Sequence, residues 1–358
     1  MSDPMMKAVR LNKPNDLEYC DIAIPRPDPG EVLARVESVA ICGTDPHIFA
    51  GDFPGFWPKA FPLIPGHEWS GVVIGAGSTA EKLGWKEGDR ICGISHVGCG
   101  QCSMCLSGRY NLCLNYGREE MGHRQYGHYS QGAYAQYMAA SVKSIARIPD
   151  DMSFDVAACM DPFSIALHMV RRSRLEPGDS VLVNGTGAQG LMSIMIARAM
   201  GAGKIFASGS GFRLEVAKRL GALPIDYRKE DVVSRVRELS SGMGAKRVLE
   251  CAGTAEGIQQ ACACVAKGGS ISMVSLPSGD VPIPIRRLVL DEIDVYGNRA
   301  NPNTLEPAIA MVRENNLDLA GLITHTFPLA QFAKALDIFV NRKENSLKVV
   351  LKPGKESI

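Results

Sequence analysis

Hydrophobic and polar positions follow two different patterns along the chain. Through the first 150 residues, short apolar runs alternate with polar positions and are broken by glycine and proline. "EVLARVESVAI" at 31–41 and "SGVVIGAG" at 70–77 are examples. Such runs, bounded by turn residues, predict strands. From "SFDVAACMDPFSIALHMVRRSRL" at 153–175 onward, helical stretches alternate with unbroken apolar runs: "SVLVN", "KIFAS", "KRVLECAG" and "GSISMVS". Strands that read as continuous apolar runs between helices predict a doubly wound α/β arrangement. After "DEIDVYGNRAN" come two helical stretches, "TLEPAIAMVREN" and "LAQFAKALDIFVNR", and a strand-like end, "LKVVLKP". No internal repeat or low-complexity tract interrupts this order.

Composition keeps the picture globular. The chain has 358 residues, enough for two domains. Hydrophobic residues make up 46% and charged residues 22%, which suits a packed core. The net charge of +1 gives no electrostatic drive toward nucleic acid or an anionic membrane, so neither is expected as a partner. No apolar run approaches the roughly 20 residues of a membrane span. The opening "MSDPMMKAVRLNKPND" lacks the apolar core of a signal peptide, so a cytoplasmic location with reduced thiols is expected.

Four of the eleven cysteines, Cys99, Cys102, Cys105 and Cys113, crowd into "CGQCSMCLSGRYNLC". An odd total argues against a full disulfide framework. The bacterial iron–sulfur signature ends in a gap of three and a proline. Here the last gap is seven and Leu114 follows. Thiolates at tight-turn spacing suit tetrahedral Zn2+, with Gly98, Gly100 and Gly108 letting the backbone fold closely around the ion. Zinc is therefore the expected occupant, with a cluster and unliganded thiols as the alternatives. Four protein ligands leave no position for substrate, so such an ion is structural.

A second signal lies in "GDSVLVNGTGAQGLMSIMIARAM". Gly185, Gly187 and Gly190 form G-x-G-x-x-G directly between a predicted strand and a predicted helix, the context that makes this motif specific for a dinucleotide. The next strand ends at Ser208, followed by "GSGFR". A carboxylate that would grip the ribose of NAD is missing there. Ser208, Ser210 and Arg213 favour NADP, and the alternative is that Arg213 stacks on the adenine of NAD.

Together with the four-cysteine lobe and this fingerprint, "CGTD" at 42–45, "GHE" at 66–68 and "KEGDRI" at 86–91 carry a resemblance. The chain resembles the zinc-dependent medium-chain alcohol and polyol dehydrogenases along nearly its whole length. "CGTDPHIF" and "MDPF" are similar to the sorbitol and, especially, the threonine dehydrogenase branches. The resemblance implies a GroES-like β-rich catalytic domain over 1–152, with the structural-zinc lobe at about 96–115. It implies a Rossmann domain over 153–296 and a return to the first domain over 297–358, with the active site in a cleft between the two. It also implies a homodimer or homotetramer and a small alcohol or ketone as substrate.

The same resemblance implies a second, catalytic zinc on Cys42 and His67, making two per chain, with an acidic residue completing the set. Glu68 follows the histidine directly. Asp161 stands where relatives carry a glutamate before proline, or a cysteine, and is one methylene shorter than Glu. Cys159 is a poorer substitute. On this resemblance Glu68 and Asp161 are expected to alternate as the ion exchanges water for substrate. Thr44, two residues past Cys42, is placed to face the substrate oxygen. His47 is the expected proton shuttle, or else a solvated bystander.

Two further stretches bear on specificity. Phe49, Phe53, Phe56, Trp57 and Phe61 form either an aromatic wall or ordinary loop packing. "YGREEMGHRQYGHYSQG" at 116–132 reads as a solvated surface loop, with Arg118, His123, Arg124 and His128 as the residues able to meet a polyhydroxy or anionic substrate. The expected reaction is hydride exchange between a secondary alcohol and NAD(P). A reductase working mainly on ketones or aldehydes, a zinc-free quinone reductase and a non-catalytic cofactor-binding protein are its rivals.

Overall fold

The structure, a computed structural model, describes residues 4–354. The outermost ends of the 1–16 stretch and of the 297–358 tail lie outside these bounds. The chain forms two compact units. One runs up to Pro162 and takes in Leu305–Ile309 and the chain from Asp318. The other holds Phe163–Thr304 and Ala310–Leu317.

The first unit is built on a seven-stranded sheet. Its order is Ile323–Pro328, Lys348–Lys352, Glu31–Ala40, Glu68–Ala76, Arg90–Gly93 and Ile145–Arg147, and Tyr137–Ser141 also pairs with Glu31–Ala40. Glu31–Ala40 alternates buried and less buried residues over its first half, the signature of a strand with one face on the core. Trp69 and Tyr134 are among the largest fully buried side chains, and both belong to this core. The strand-like tail adds Lys348–Lys352 beside Glu31–Ala40, so the end of the chain is an interior strand of the first sheet.

The second unit is a six-stranded, wholly parallel sheet. Its order is Leu223–Asp226, Ile205–Gly209, Val181–Asn184, Ala245–Glu250, Val265–Met273 and Asp294–Gly297. Numbered within the unit this is 3-2-1-4-5-6, the Rossmann order. Val181–Asn184 and Ile205–Gly209 are buried at every position, because helices cover both faces of a parallel sheet. That is why these strands read as unbroken apolar runs. The helical stretch at 153–175 forms two helices, Phe154–Ala158 and Met160–Arg172, separated at Cys159.

The 116–132 stretch is not the solvated loop its polarity suggested. Arg118 is exposed, but His123 and the run 125–130 are buried. The reason is hydrogen bonding. Tyr116 OH lies on Gln125 Oε1, His123 Nδ1 on Tyr129 OH, and Ser130 Oγ donates to Glu119 Oε1 at 2.5 Å. Polar side chains paired in this way tolerate burial.

Candidate active site

The four lobe cysteines converge. Their sulfurs all lie within 4.8 Å of one another. Cys99 and Cys105 are 3.9 Å apart, as are Cys102 and Cys113. Zn–S bonds of about 2.3 Å give a tetrahedron with edges of roughly 3.8 Å. Backbone and amide N–H groups point at the sulfurs: Leu114 N to Cys102 and Asn115 Nδ2 to Cys99, both at 3.4 Å. Burial raises the Cys99 thiol, but donors led by the Gln101 N–H and the Asn115 amide bring it down to about 6. All eleven cysteines are free, so no disulfide competes for these sulfurs. The donor set fits a tetrahedral ion.

Cys42, His67 and Glu68 form a second group whose ligand atoms lie within 4.8 Å of one another. Cys42 sits just past the end of strand Glu31–Ala40, and Glu68 opens the neighbouring strand Glu68–Ala76. Ala40 and Glu68 are direct register partners, so sheet pairing brings the two ligand carriers together. His67 and Glu68 are 4% and 1% exposed. Burial opposes a charge on His67, but Cys42, Asp45 and Asp161 hold its pKa up at about 10. A dry, electron-rich donor set of this kind suits a cation, and three protein ligands leave a position open.

Asp161 is also buried but lies outside this three-residue group. Its carboxylate accepts from the Ser95 N–H at 3.4 Å. Thr44 Oγ1 is 3.7 Å from Cys42 Sγ, at the start of the helix Asp45–Ala50. His47, on that helix, is exposed and its Nδ1 meets Asp52 Oδ2 at 2.8 Å.

Two supporting residues were not singled out in the sequence. Asp45 is fully buried and accepts from Tyr134 OH at 2.6 Å and from the Cys42 N–H at 2.8 Å. Its other oxygen is 3.6 Å from His67 Nδ1. A carboxylate behind a ligand imidazole fixes the ring's orientation and raises its basicity. Lys348, from the last strand, pairs its ammonium with Glu68 and donates to Ile41 O at 3.0 Å. The signal for Asp45 was its place in "CGTD"; for Lys348 it was a lysine inside an apolar strand.

The fingerprint glycines have distinct surroundings. A Cβ on Gly187, which precedes the helix Ala188–Ala199, would meet nothing within 4 Å. A Cβ on Gly190 would sit 1.9 Å from Gly185 O, so only glycine permits this approach of helix to strand. The open space at the helix N-terminus is a cradle for a pyrophosphate. Ser208 is buried at the end of its strand, in register with Asn184. Ser210 precedes the helix Gly211–Arg219, and its Oγ donates to Tyr227 OH at 3.3 Å. Arg213 lies in that helix's first turn and is partly exposed.

A β-rich unit carrying one closed and one open metal-ligand set, in one chain with a Rossmann unit, defines a metal- and dinucleotide-dependent oxidoreductase. Residues 28–150 match the alcohol dehydrogenase GroES-like domain, and residues 188–314 match the zinc-binding dehydrogenase family. The chain belongs to the zinc-dependent medium-chain alcohol and polyol dehydrogenases, which act on CH–OH groups with NAD(P). It is 31% identical to the sorbitol dehydrogenase of Bacillus subtilis over 98% of both chains. It is 33% identical to that organism's L-threonine 3-dehydrogenase, over 93% of this chain and 94% of the relative. A Sinorhizobium meliloti 1021 structure bound to NADP superposes with a TM-score of 0.89 at 30% identity, covering 98% and 100% of the two chains. A short chain alcohol dehydrogenase from E. coli CFT073 complexed with NADH does so with 0.88 at 25% identity, covering 97% and 99%. No helix among the described residues is long and apolar enough to cross a membrane.

Proposed function

We propose that this chain oxidises a secondary alcohol, of polyol or similarly hydroxylated type, and reduces the corresponding ketone, with NADP preferred over NAD. The observation that carries the reading is the convergence of half-buried Cys42 with buried His67 and Glu68 beside the Thr44 hydroxyl. In this reading Cys42, His67 and Glu68 hold one zinc and the lobe cysteines a second, and Asp161 is the reserve carboxylate. Zinc at the open set would act as a Lewis acid that makes a hydroxyl group acidic near neutral pH.

The chain's own groups then handle the proton. Thr44 accepts it from the substrate hydroxyl and passes its own outward. His47, exposed and paired with Asp52, delivers the proton to solvent. Asp45 keeps the His67 ring aimed at its ion, and Lys348 is the buried ion-pair partner that holds the Glu68 carboxylate in position. Gly185, Gly187 and Gly190 bind the pyrophosphate. Ser208, Ser210 and Arg213 bind a 2′-phosphate, a reading supported by the absence of a carboxylate at 208. The S. meliloti relative's NADP agrees with this preference, and the E. coli relative's NADH stands against it.

The functional domains are 1–152 for the metals, 153–296 for the cofactor and 297–358 as the return. A homodimer or homotetramer is supported by the edge strand Asp294–Gly297 and by Val289 and Leu290, each 70% exposed close by in sequence. Such an edge invites the same strand of a second copy. The cytoplasm, where thiolate ligands stay reduced, is the compartment that suits the site. The test is a screen of secondary alcohols and polyols, and their ketones, with each cofactor, followed by the absorbance of reduced nicotinamide. Turnover with no alcohol or ketone would overturn the reading.

A further inference from the structure

A buried carboxylate stands at the carboxyl end of the parallel sheet. Glu250 closes the strand Ala245–Glu250 and is fully buried. In register it lies between Asn184, the last residue of Val181–Asn184, and Met273, the last of Val265–Met273. The strand order turns back between Val181–Asn184 and Ala245–Glu250, the switch point at which a doubly wound sheet takes its ligand. Strands on one side of that point carry the glycine fingerprint and Ser208. The strand that ends in Glu250 opens the second mononucleotide-binding half.

A carboxylate is costly to bury unless donors meet it. Glu250 Oε1 accepts from the Ala252 N–H at 2.8 Å and from the Gly253 N–H at 3.0 Å, and Oε2 accepts from the Ser275 hydroxyl. Ala252 and Gly253 lie in the loop after Ala245–Glu250, and Ser275 lies in the loop after Val265–Met273. One side chain thus ties together the loops that leave two neighbouring strands. The loops also meet directly, since a Cβ on Gly253 would sit 3.2 Å from Ser275 Cβ. The tied loop borders the fingerprint as well. A Cβ on Gly185 would sit 2.8 Å from Ala252 N and 2.9 Å from Cys251 C. Cys251 N donates to Asn184 O at 2.8 Å, and Asn184 Nδ2 donates to Gly257 O at 2.8 Å. With backbones packed this closely, a shift of residues 251–253 is felt at Gly185.

We propose that Glu250 is a positioning residue for the coenzyme: its carboxylate clips the loops at 251–253 and 275 into the arrangement that receives the nicotinamide half of the dinucleotide. The inference rests on the reading of Gly185, Gly187 and Gly190 as a dinucleotide site. The clip works by geometry rather than by charge. Two backbone N–H groups can only donate, so one oxygen must accept them, whereas the Ser275 hydroxyl can donate or accept. Glutamine therefore satisfies all the partners. Aspartate keeps the charge but is one methylene shorter and loses the reach. The clip also acts on one half of the coenzyme, because the adenosine end, at Ser208 and Arg213, lies across the switch point.

The experiment uses the full-length, metal-loaded protein as wild type, Glu250→Gln, Glu250→Asp and Ser275→Ala. Titration calorimetry gives Kd for NADPH and NADH, and for 5′-AMP and adenosine 2′,5′-bisphosphate, which carry the adenosine end alone. Melting temperatures are recorded beside them. Glu250→Asp should weaken the dinucleotides by roughly 10–100-fold, the cost of lost hydrogen bonds to a charged group, and leave the adenosine fragments unchanged. Glu250→Gln should stay close to wild type, and Ser275→Ala, which removes a single tether, should fall between. If Glu250→Asp does not fold, Ser275→Ala, at a partly exposed position, carries the same comparison of dinucleotide with fragment. Equal weakening of fragments and dinucleotides, or no weakening of either, would overturn the clip and leave the dehydrogenase reading intact. A Glu250→Gln protein as weak as Glu250→Asp, or weaker, would overturn it too, since charge rather than reach would then matter. A wild type that binds neither dinucleotide would overturn the coenzyme reading and this inference with it.

Discussion

The ammonium of Lys348 rests against the carboxylate of Glu68, and both groups are buried, at 2% and 1% exposure. They are 280 residues apart in sequence. Burial opposes a charge on Lys348, yet Glu68 raises its pKa above the ordinary lysine value. The pair ties the last strand of the chain to a residue of the metal-ligand group. Lys348→Met should destabilise the protein by about 3–5 kcal/mol, because it leaves a buried carboxylate without its partner. The double variant Lys348→Met/Glu68→Gln should recover part of that loss. Denaturant midpoints of the four proteins in this cycle measure the coupling, and additive losses would mean the pair does not interact.

Asp45 supports His67 from behind. Asp45→Asn should lower metal affinity or activity by about 10–100-fold, the usual effect of removing a carboxylate that orients a ligand imidazole. Competition with a chelator gives the affinity directly. An unchanged affinity together with unchanged turnover would remove Asp45 from the metal machinery.

Metal analysis of freshly purified protein should find two zinc ions per chain. Cys42→Ser should bring the count to one, abolish turnover and keep the fold. Cys102→Ser should also bring it to one, but with lower stability and solubility, because the lobe's order depends on its ion. A single ion in the fully active wild type would contradict the count of two and remove one of the two assignments.

Thr44→Val should keep both metals and lose roughly 10²–10⁴-fold in kcat, the usual share of a positioned proton-transfer group. His47 is more exposed and more easily replaced by water, so His47→Gln should cost less. Near-normal kcat across the pH range for Thr44→Val would rule out the relay.

Cofactor preference should favour NADP, and Ser208→Asp should reverse it by repelling the 2′-phosphate. Arg213→Ala should hurt NADP more than NAD, by roughly 10–150-fold for a lost charged hydrogen bond of about 1.5–3 kcal/mol. kcat/KM for both cofactors in wild type and both variants decides. A wild type favouring NAD, with Arg213→Ala affecting both cofactors equally, would overturn the assignment.

Sequence alone determined what depends on local order. Period-two runs and turn residues announced the strands of the first unit. Unbroken apolar runs such as "SVLVN" announced a parallel sheet covered on both faces, and it is one. The lobe cysteines span fifteen residues, so their convergence was legible from spacing. Tertiary structure decided the rest, since its contacts join residues that no local pattern connects. Cys42 meets His67 through the pairing of two strands, and Lys348 reaches Glu68 because the chain's end returns as an interior strand. The 116–132 stretch shows the limit most clearly. Its polar composition predicted solvent exposure, but composition counts donors and acceptors without showing where their partners lie. Once Tyr116, His123, Gln125 and Ser130 find partners within the fold, burial costs them little, and His128 is carried to the edge of the metal-ligand group.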